Sequence, residues 1–219
     1  MKNLNLRSSQ FINYIFGQYT PRKEMLELQL ENKEKKIPSH MMKYVAHGNF
    51  NEKMGIGFYV KHFKKIPKDY LKDQQNYIIK NWLNLPKGKE TVSISTTPDG
   101  ISQDETTIIE VKCSMRDKYE HFNKLWLFQV GGQQHILSCL GKKIEKTYLI
   151  NYTPTVCRIW QIDYNQNFIN YLIENLSEFA ECLLKGKANG LAEKPEQFKG
   201  NIDESIKLIK EYNYGVKNE

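Results

Sequence analysis

The stretch TTIIEVKC, residues 106–113, constrains the fold more than any other part of the chain. It alternates β-branched and charged residues, which is typical of a strand with two different faces. In such a strand Ile109 and Val111 point into a core, and Glu110 and Lys112 share the opposite face. Because a carboxylate and an ammonium lose their hydration on a central strand, this polar pair needs a compensating partner.

A second carboxylate precedes this strand in a turn. Asp99 stands beside Gly100 in the sequence TPDG, where the backbone can bend and bring the Asp99 carboxylate next to Glu110. Two neighbouring carboxylates favour a hard divalent cation, Mg²⁺ or Mn²⁺, and the Val111 carbonyl is a further candidate ligand. Lys112 would then hold the attacking water or offset charge on a phosphate. The alternative is an exposed hairpin with an ordinary Glu–Lys ion pair.

The rest of the chain alternates between helical and extended patterns. Apolar spacing predicts helices in 6–16, 21–36, 39–65, 67–85, 118–141, 166–186 and 203–213, and strands in 90–96, 106–113, 145–152 and 156–164. The two strands 90–96 and 106–113 are expected to be joined at the TPDG turn, and the helix 118–141 has a candidate break at Gly131–Gly132. This order predicts an α/β fold with a small central mixed sheet flanked by helices.

The length of 219 residues suits a single domain with a substantial core. We interpret residues 1–219 as one domain with three parts. These are a helical part of about 1–86, a sheet with flanking helices of about 87–185, and a helical tail of about 186–219.

Composition limits the setting and the partners of the chain. The net charge of +7 permits a polyanionic partner, although its lysine clusters equally suit solvated helix faces. The sequence has no apolar run near the roughly twenty residues of a membrane helix, and its N-terminus does not resemble a signal peptide. Four widely spaced cysteines are typical of buried thiols in a reducing compartment, which predicts a cytoplasmic or host-cell intracellular protein without a membrane partner. The five histidines show no zinc-ligand spacing.

The segments TPDG (97–100) and EVKCS (110–114) resemble the motif of the PD-(D/E)xK nucleases. They are most similar to the lambda exonuclease-like branch, also called YqaJ-type viral recombinase nucleases. That branch has serine where this chain has Thr97 and proline where it has Ser114, and neither position is a metal ligand. The resemblance implies a restriction-endonuclease-like core around a small mixed sheet.

A second segment, HGNFNEKMGIGFY, resembles the same family independently. The family has G-x-x-x-E on a helix, followed seven residues later by an aromatic residue, and Gly48, Glu52 and Tyr59 have this spacing. The resemblance implies that Glu52 is a third carboxylate that reaches the metal ions. The alternative is a surface glutamate on a polar helix face.

The resemblance further implies phosphate contacts from a helical glutamine and an N-terminal serine. Counting back from TYLINYTP favours Gln134, with Gln133 and Gln129 as alternatives; each could bind a phosphate or orient the lysine, or could simply lie on a helix surface. Ser9, with Arg7 nearby, corresponds to a serine that binds the terminal 5′-phosphate. The alternative role for Ser8 or Ser9 is a plain helix N-cap.

Taken together, the resemblance implies a metal-dependent deoxyribonuclease that degrades linear double-stranded DNA from 5′ to 3′, in phage or viral recombination or DNA processing. Asp99, Glu110, Val111 and Glu52 would hold two Mg²⁺ ions, for which Mn²⁺ can substitute, and Lys112 would position the water. The family also implies a ring-shaped homotrimer and a single-strand annealing protein as partner. The alternatives are a PD-(D/E)xK endonuclease, a nuclease for DNA and RNA, and a non-catalytic DNA-binding module on the same scaffold.

Overall fold

The computed structural model describes residues 3–31, 33, 37–63, 71–72, 75–84, 91–114, 121–186, 191 and 195–213. The helices are α1 (Phe11–Phe16), α2 (Arg22–Leu30), α3 (Ser39–Phe63), α4 (Trp126–Cys139) and α5 (Gln166–Lys185). The strands are β1 (Asn3–Arg7), β2 (Leu71–Lys72), β3 (Tyr77–Asn84), β4 (Thr91–Thr96), β5 (Gly100–Ser102), β6 (Thr107–Cys113), β7 (Lys146–Tyr152), β8 (Val156–Ile162) and β9 (Ile206–Asn213).

The larger sheet has six strands in the order β2-β5-β6-β7-β8-β9. Strand β6 runs parallel to β7, and the other neighbours in this sheet are antiparallel. The first five residues of β6 are buried because helices cover both faces of the sheet. The prediction of an α/β fold with a mixed sheet flanked by helices is thereby confirmed.

The smaller sheet has the order β1-β4-β3, in which β1 is parallel and β3 antiparallel to β4. The prediction that the strands 90–96 and 106–113 are joined at the TPDG turn is therefore wrong. The TPDG turn leads from β4 into the short strand β5, which takes the antiparallel position beside β6. The turn thus connects two sheets, and the strand that bears Glu110 and Lys112 lies in the interior of the larger one.

Three segments predicted as helix contain strands, so the N-terminal part and the C-terminal tail are less helical than expected. Residues 6–7 belong to β1, the segment 67–85 contains β2 and β3, and 203–213 forms a 3₁₀ turn followed by β9. The pairing of β3 is interrupted between Ile79 and Leu83, and that of β9 is shifted next to Trp160 on β8. Such bulges interrupt the two-residue alternation, so the apolar residues acquire a spacing that resembles a helix.

Two cores flank the larger sheet. The larger core contains α1, α2, α4 and α5, and it also receives side chains from β1, β3 and β4 of the smaller sheet. Helix α5 follows its predicted amphipathic pattern, and its stripe is buried: Phe168, Leu172, Leu176, Phe179 and Leu183. Helix α4 continues through Gly131 and Gly132 without a break. Gly132 allows the Phe11 ring to approach, since a Cβ there would lie 2.6 Å from a ring carbon.

The smaller core lies between α3 and the opposite face of the larger sheet. Tyr59 of α3 is buried there with Ile109 and Val111 of β6. Helix α3 approaches the strand at Gly55, where a Cβ atom would lie 2.6 Å from Val111 Cγ1. This contact determines how closely α3, and therefore Glu52 one turn earlier, can lie against β6.

None of the helices in the described ranges combines the length and apolar character needed to cross a membrane.

We expect Gly55→Ala to lower the free energy of unfolding by about 1–3 kcal/mol, because the new methyl group overlaps the buried Val111 side chain. Gly57→Ala is the matched control in the same helix, since no described atom lies within 4 Å of its Cβ position. This control should gain about 0.5–1 kcal/mol from helix propensity alone. Urea unfolding of both variants measures the difference, and an equal gain in both would contradict the proposed close contact.

Candidate active site

The centre of the site is a group of hydrogen-bonded side chains between β6 and α4, which we call the polar cluster: Glu110, Lys112, Gln129 and Gln133. Lys112 Nζ donates to Glu110 Oε1 at 2.6 Å and to Gln129 Oε1 at 2.7 Å. Gln129 Nε2 donates to Glu110 Oε1 at 2.6 Å, and Gln133 Nε2 donates to Glu110 Oε2 at 2.5 Å. Only 1% of Glu110 is exposed, so these donors replace the water that the carboxylate loses.

Asp99 joins the site at the point where two strands separate. Strand β5 pairs with β6 at Ile108 and Ile109, and beyond them the Asp99 Oδ2 atom accepts the Val111 N–H at 2.7 Å. Because the N–H and C=O of one strand residue point to the same side, the Val111 carbonyl also faces Asp99. The sequence prediction that the TPDG turn brings Asp99 beside the Glu110 strand agrees with this geometry.

The charges at this point are strongly coupled. Burial, followed by the nearby charge of Glu110, raises the pKa of Asp99 to about 8, although the Val111 N–H and Lys112 act in the opposite direction. Burial disfavours the charged form of Lys112, but Glu110, Asp99 and Glu52 outweigh it and raise the Lys112 pKa. The ammonium therefore remains charged, and the two carboxylates repel each other.

Glu52 of α3 is partly exposed. Its charge raises the pKa of Asp99, Lys112 and Cys113, so it acts on the same electrostatic site. Within the described ranges, however, no three His, Cys, Asp or Glu side chains are grouped closely enough to hold a metal ion. The three carboxylates of Asp99, Glu110 and Glu52 thus influence one another electrostatically, but they do not form a preformed set of metal ligands.

The chemistry of the donor set fits a hard divalent cation. Carboxylate and carbonyl oxygens are the ligands that Mg²⁺ and Mn²⁺ prefer, and Asp99, Glu110, Val111 and Glu52 supply them. Burial and then the charge of Glu110 raise the Asp99 pKa, and a cation would offset both. Both Glu110 oxygens accept hydrogen bonds from the polar cluster, so a bound cation would compete with those donors.

The preference for Gln134 among the three glutamines is wrong. Gln134 Nε2 donates to Thr147 Oγ1 at 3.0 Å and to the Ile162 carbonyl at 3.1 Å, and so faces β7 and β8. The two alternatives, Gln129 and Gln133, contact Glu110. Residues four apart share one helix face, whereas the residue after Gln133 is rotated by about 100°. The four-residue spacing of Gln129 and Gln133 is the sequence signal that favours these two over Gln134.

A polar cavity of about 430 Å³ adjoins the polar cluster and shares Gln129 with it. Most of its lining residues come from β1, β4 and the segments that follow them: Asn5, Arg7, Ser8, Ser9, Ser95, Thr96 and Thr97. Asn76, just before β3, and Gln129 of α4 complete the lining. Arg7 and Ser9, the predicted phosphate contacts, are both exposed in this cavity. No short motif predicted Asn5 and Ser95 here, because only the pairing of β1 with β4 brings them together.

The alternative role of the two serines as helix caps is wrong. Helix α1 has Gln10 at its N-cap position, without a side-chain capping hydrogen bond. Ser8 instead hydrogen-bonds Thr96 at 2.7 Å between the hydroxyl oxygens, which ties the turn after β1 to the end of β4. The neighbouring Ser9 is left facing the cavity.

Comparison with known proteins shows the fold of the chain. No family model matches the sequence, and no curated protein matches it. The crystal structure of a phage related exonuclease from Haemophilus somnus 129PT matches with a TM-score of 0.60 and 13% identity, covering 84% of this chain and 95% of that one. The structure of SSO0001 has a TM-score of only 0.45 and 16% identity, over 81% of this chain and 77% of that one. The first match shows that this chain shares the fold of that phage related exonuclease.

The raised pKa of Asp99 predicts how stability depends on pH when metal is absent. Since its folded-state pKa of about 8 exceeds the ordinary value of 3.8, the native state binds the additional proton. The contribution of Asp99 to the free energy of unfolding should therefore fall between about pH 4 and about pH 8. Asp99→Asn should remove this contribution, so the variant loses less stability than wild type over that range in EDTA.

Urea unfolding at several pH values in EDTA measures this effect. Asp163→Asn is the matched control, because Asp163 forms a surface ion pair with Lys207 that lowers its pKa. This control should retain the wild-type decrease in stability above about pH 4. An Asp99→Asn profile parallel to wild type would contradict the raised pKa.

Proposed function

We propose that the chain is a metal-dependent DNA nuclease that degrades linear double-stranded DNA from its 5′ ends. The observation that carries the proposal is the meeting of Asp99, Glu110 and Lys112 where β5 stops pairing with β6. The similarity in fold to a phage related exonuclease supports it. A ring-shaped homotrimer around DNA and work beside a single-strand annealing protein belong to the same proposal.

The acidic residues have the role of ligands in this proposal. Asp99, Glu110, the Val111 carbonyl and Glu52 would hold two Mg²⁺ or Mn²⁺ ions, which when bound polarise a phosphate oxygen and acidify water. Asp99 must lose its proton to become a ligand, and its pKa of about 8 therefore makes metal affinity rise with pH.

Lys112 has an electrostatic role and not that of a base. Its raised pKa keeps the ammonium protonated, and a protonated ammonium can only donate hydrogen bonds. Gln129 Oε1 accepts a hydrogen bond from Lys112 Nζ at 2.7 Å, which holds the ammonium beside the Glu110 carboxylate. From there Lys112 can donate to the attacking water or to a phosphate oxygen whose negative charge increases in the transition state.

The cavity supports action at a DNA end. It adjoins the polar cluster through Gln129, and its volume of about 430 Å³ lies within the range of small-ligand pockets. Arg7 supplies a positive charge and Ser9 a hydroxyl group, both suited to a terminal phosphate. A phosphate bound there would place the first phosphodiester bond near Lys112.

We expect Lys112→Ala to reduce the rate of DNA cleavage with Mg²⁺ by about 100-fold or more, because it removes a charge that stabilises the transition state. Affinity for duplex DNA, measured in Ca²⁺, should change little. Lys207→Ala is the control, since Lys207 forms a surface ion pair with Asp163. Cleavage by Lys112→Ala at the wild-type rate would contradict the role of the ammonium, and DNA binding without cleavage in any metal by wild type would favour a binding module.

A second prediction separates end-dependent from internal cleavage. Wild type should degrade linear duplex DNA with a 5′-phosphate faster than DNA with a 5′-hydroxyl, and should leave closed circles intact. Ser9→Ala and Arg7→Gln should reduce the preference for the phosphate, by about tenfold if one charge-assisted hydrogen bond is lost. Cleavage of closed circles would contradict the exonuclease and leave an endonuclease.

A further inference from the structure

One buried side chain on β7 has polar atoms without partners. Asn151 is 0% exposed, and neither its Nδ2 nor its Oδ1 atom has a hydrogen-bond partner in the described part of the protein. Buried amides are normally hydrogen-bonded, because a lost hydrogen bond to water is otherwise not replaced. The fold therefore retains an amide at this position at the expense of stability, which points to a state in which the amide has a partner.

Asn151 lies beside the polar cluster. It is paired in register with Lys112 on β6 and with Arg158 on β8. Leu149, two residues earlier, packs in the larger core, whereas Ile150 packs in the smaller one. Because alternate residues share a face, Asn151 lies on the face that bears Lys112.

The hydrogen bonds of Lys112 must change when Glu110 serves as a metal ligand. An ammonium has three N–H donors. In the structure Lys112 Nζ donates two hydrogen bonds, to Glu110 Oε1 and to Gln129 Oε1. A carboxylate oxygen shared with a cation accepts poorly from an ammonium, because the two positive charges repel each other. Lys112 then needs another acceptor, and the strand that bears Asn151 lies only about 4.8 Å away.

We propose that Asn151 is a positioning residue for Lys112. Its Oδ1 atom accepts a hydrogen bond from the Lys112 ammonium when Glu110 binds the metal, and this bond keeps the ammonium directed at the phosphate. The inference rests on the proposed nuclease function and assigns Asn151 a role that neither motif of the sequence includes.

Asn151→Leu tests the proposal, because leucine has a similar size and lacks both polar atoms. In EDTA its urea midpoint should equal or exceed that of wild type, since no hydrogen bond of the metal-free protein is lost. With Mg²⁺ and linear duplex DNA its kcat should fall by about 10- to 100-fold, as it does when a residue that orients the groups of a metal site by a hydrogen bond is removed. KM should change little, since substrate binding is untouched. Asn151→Asp keeps an acceptor oxygen and should recover most of the lost kcat.

Asn13→Leu is the matched control, because the buried Asn13 amide has partners in Gln10 and the Tyr19 N–H. This variant should lower the urea midpoint and leave kcat unchanged. Wild-type kcat in Asn151→Leu would overturn the proposal. So would an equal loss in the Leu and Asp variants, or a drop in midpoint like that of the control. If wild type cuts no DNA in any metal, the nuclease function itself fails, and the inference fails with it.

Discussion

A carboxylate buried inside a sheet that is covered on both faces imposes the strictest physical requirement on this fold. Glu110 is 1% exposed on a strand with cores on both faces. An ionised group there is tolerated only with charge and hydrogen-bond partners, since breaking a buried pair typically costs about 3–5 kcal/mol. Lys112, Gln129 and Gln133 supply those partners. Helix α4 is therefore placed so that both glutamines reach Glu110.

The surrounding elements bring further groups to the same carboxylate. The early end of β5 exposes the Val111 backbone to Asp99, and Gly55 lets α3 approach β6 closely enough for Glu52 to act on the site. Helix α4 contacts β3 and β4 as well as β7, so it connects the polar cluster with the smaller sheet. The cavity with Arg7 and Ser9 lies at this connection. Two sheets and two helices thus meet around one buried charge.

Much of the site could be predicted from the sequence because its residues are close along the chain. Asp99, Glu110 and Lys112 lie in one turn and one strand, so the sequence places them near one another, although their spacing alone left an ordinary Glu–Lys ion pair open. The wrong predictions had identifiable physical causes. A bulge in β3, with a positive φ at Asn81, disturbed the alternation that would have revealed a strand. Counting along the motif favours Gln134, but the packing of α4 turns Gln134 towards Thr147 and brings Gln129 and Gln133 to Glu110.

Local sequence was enough to specify the strand of Glu110 and Lys112, the turn of Asp99, and the helical periodicity of α3 and α5. These features depend on backbone preferences and on neighbours a few residues apart. Long-range packing specifies which glutamines meet Glu110, how β1 and β4 form the cavity, and which amide is buried beside Lys112. Those contacts join residues that are distant in the chain. They are determined by strand order and helix packing, which no local pattern specifies.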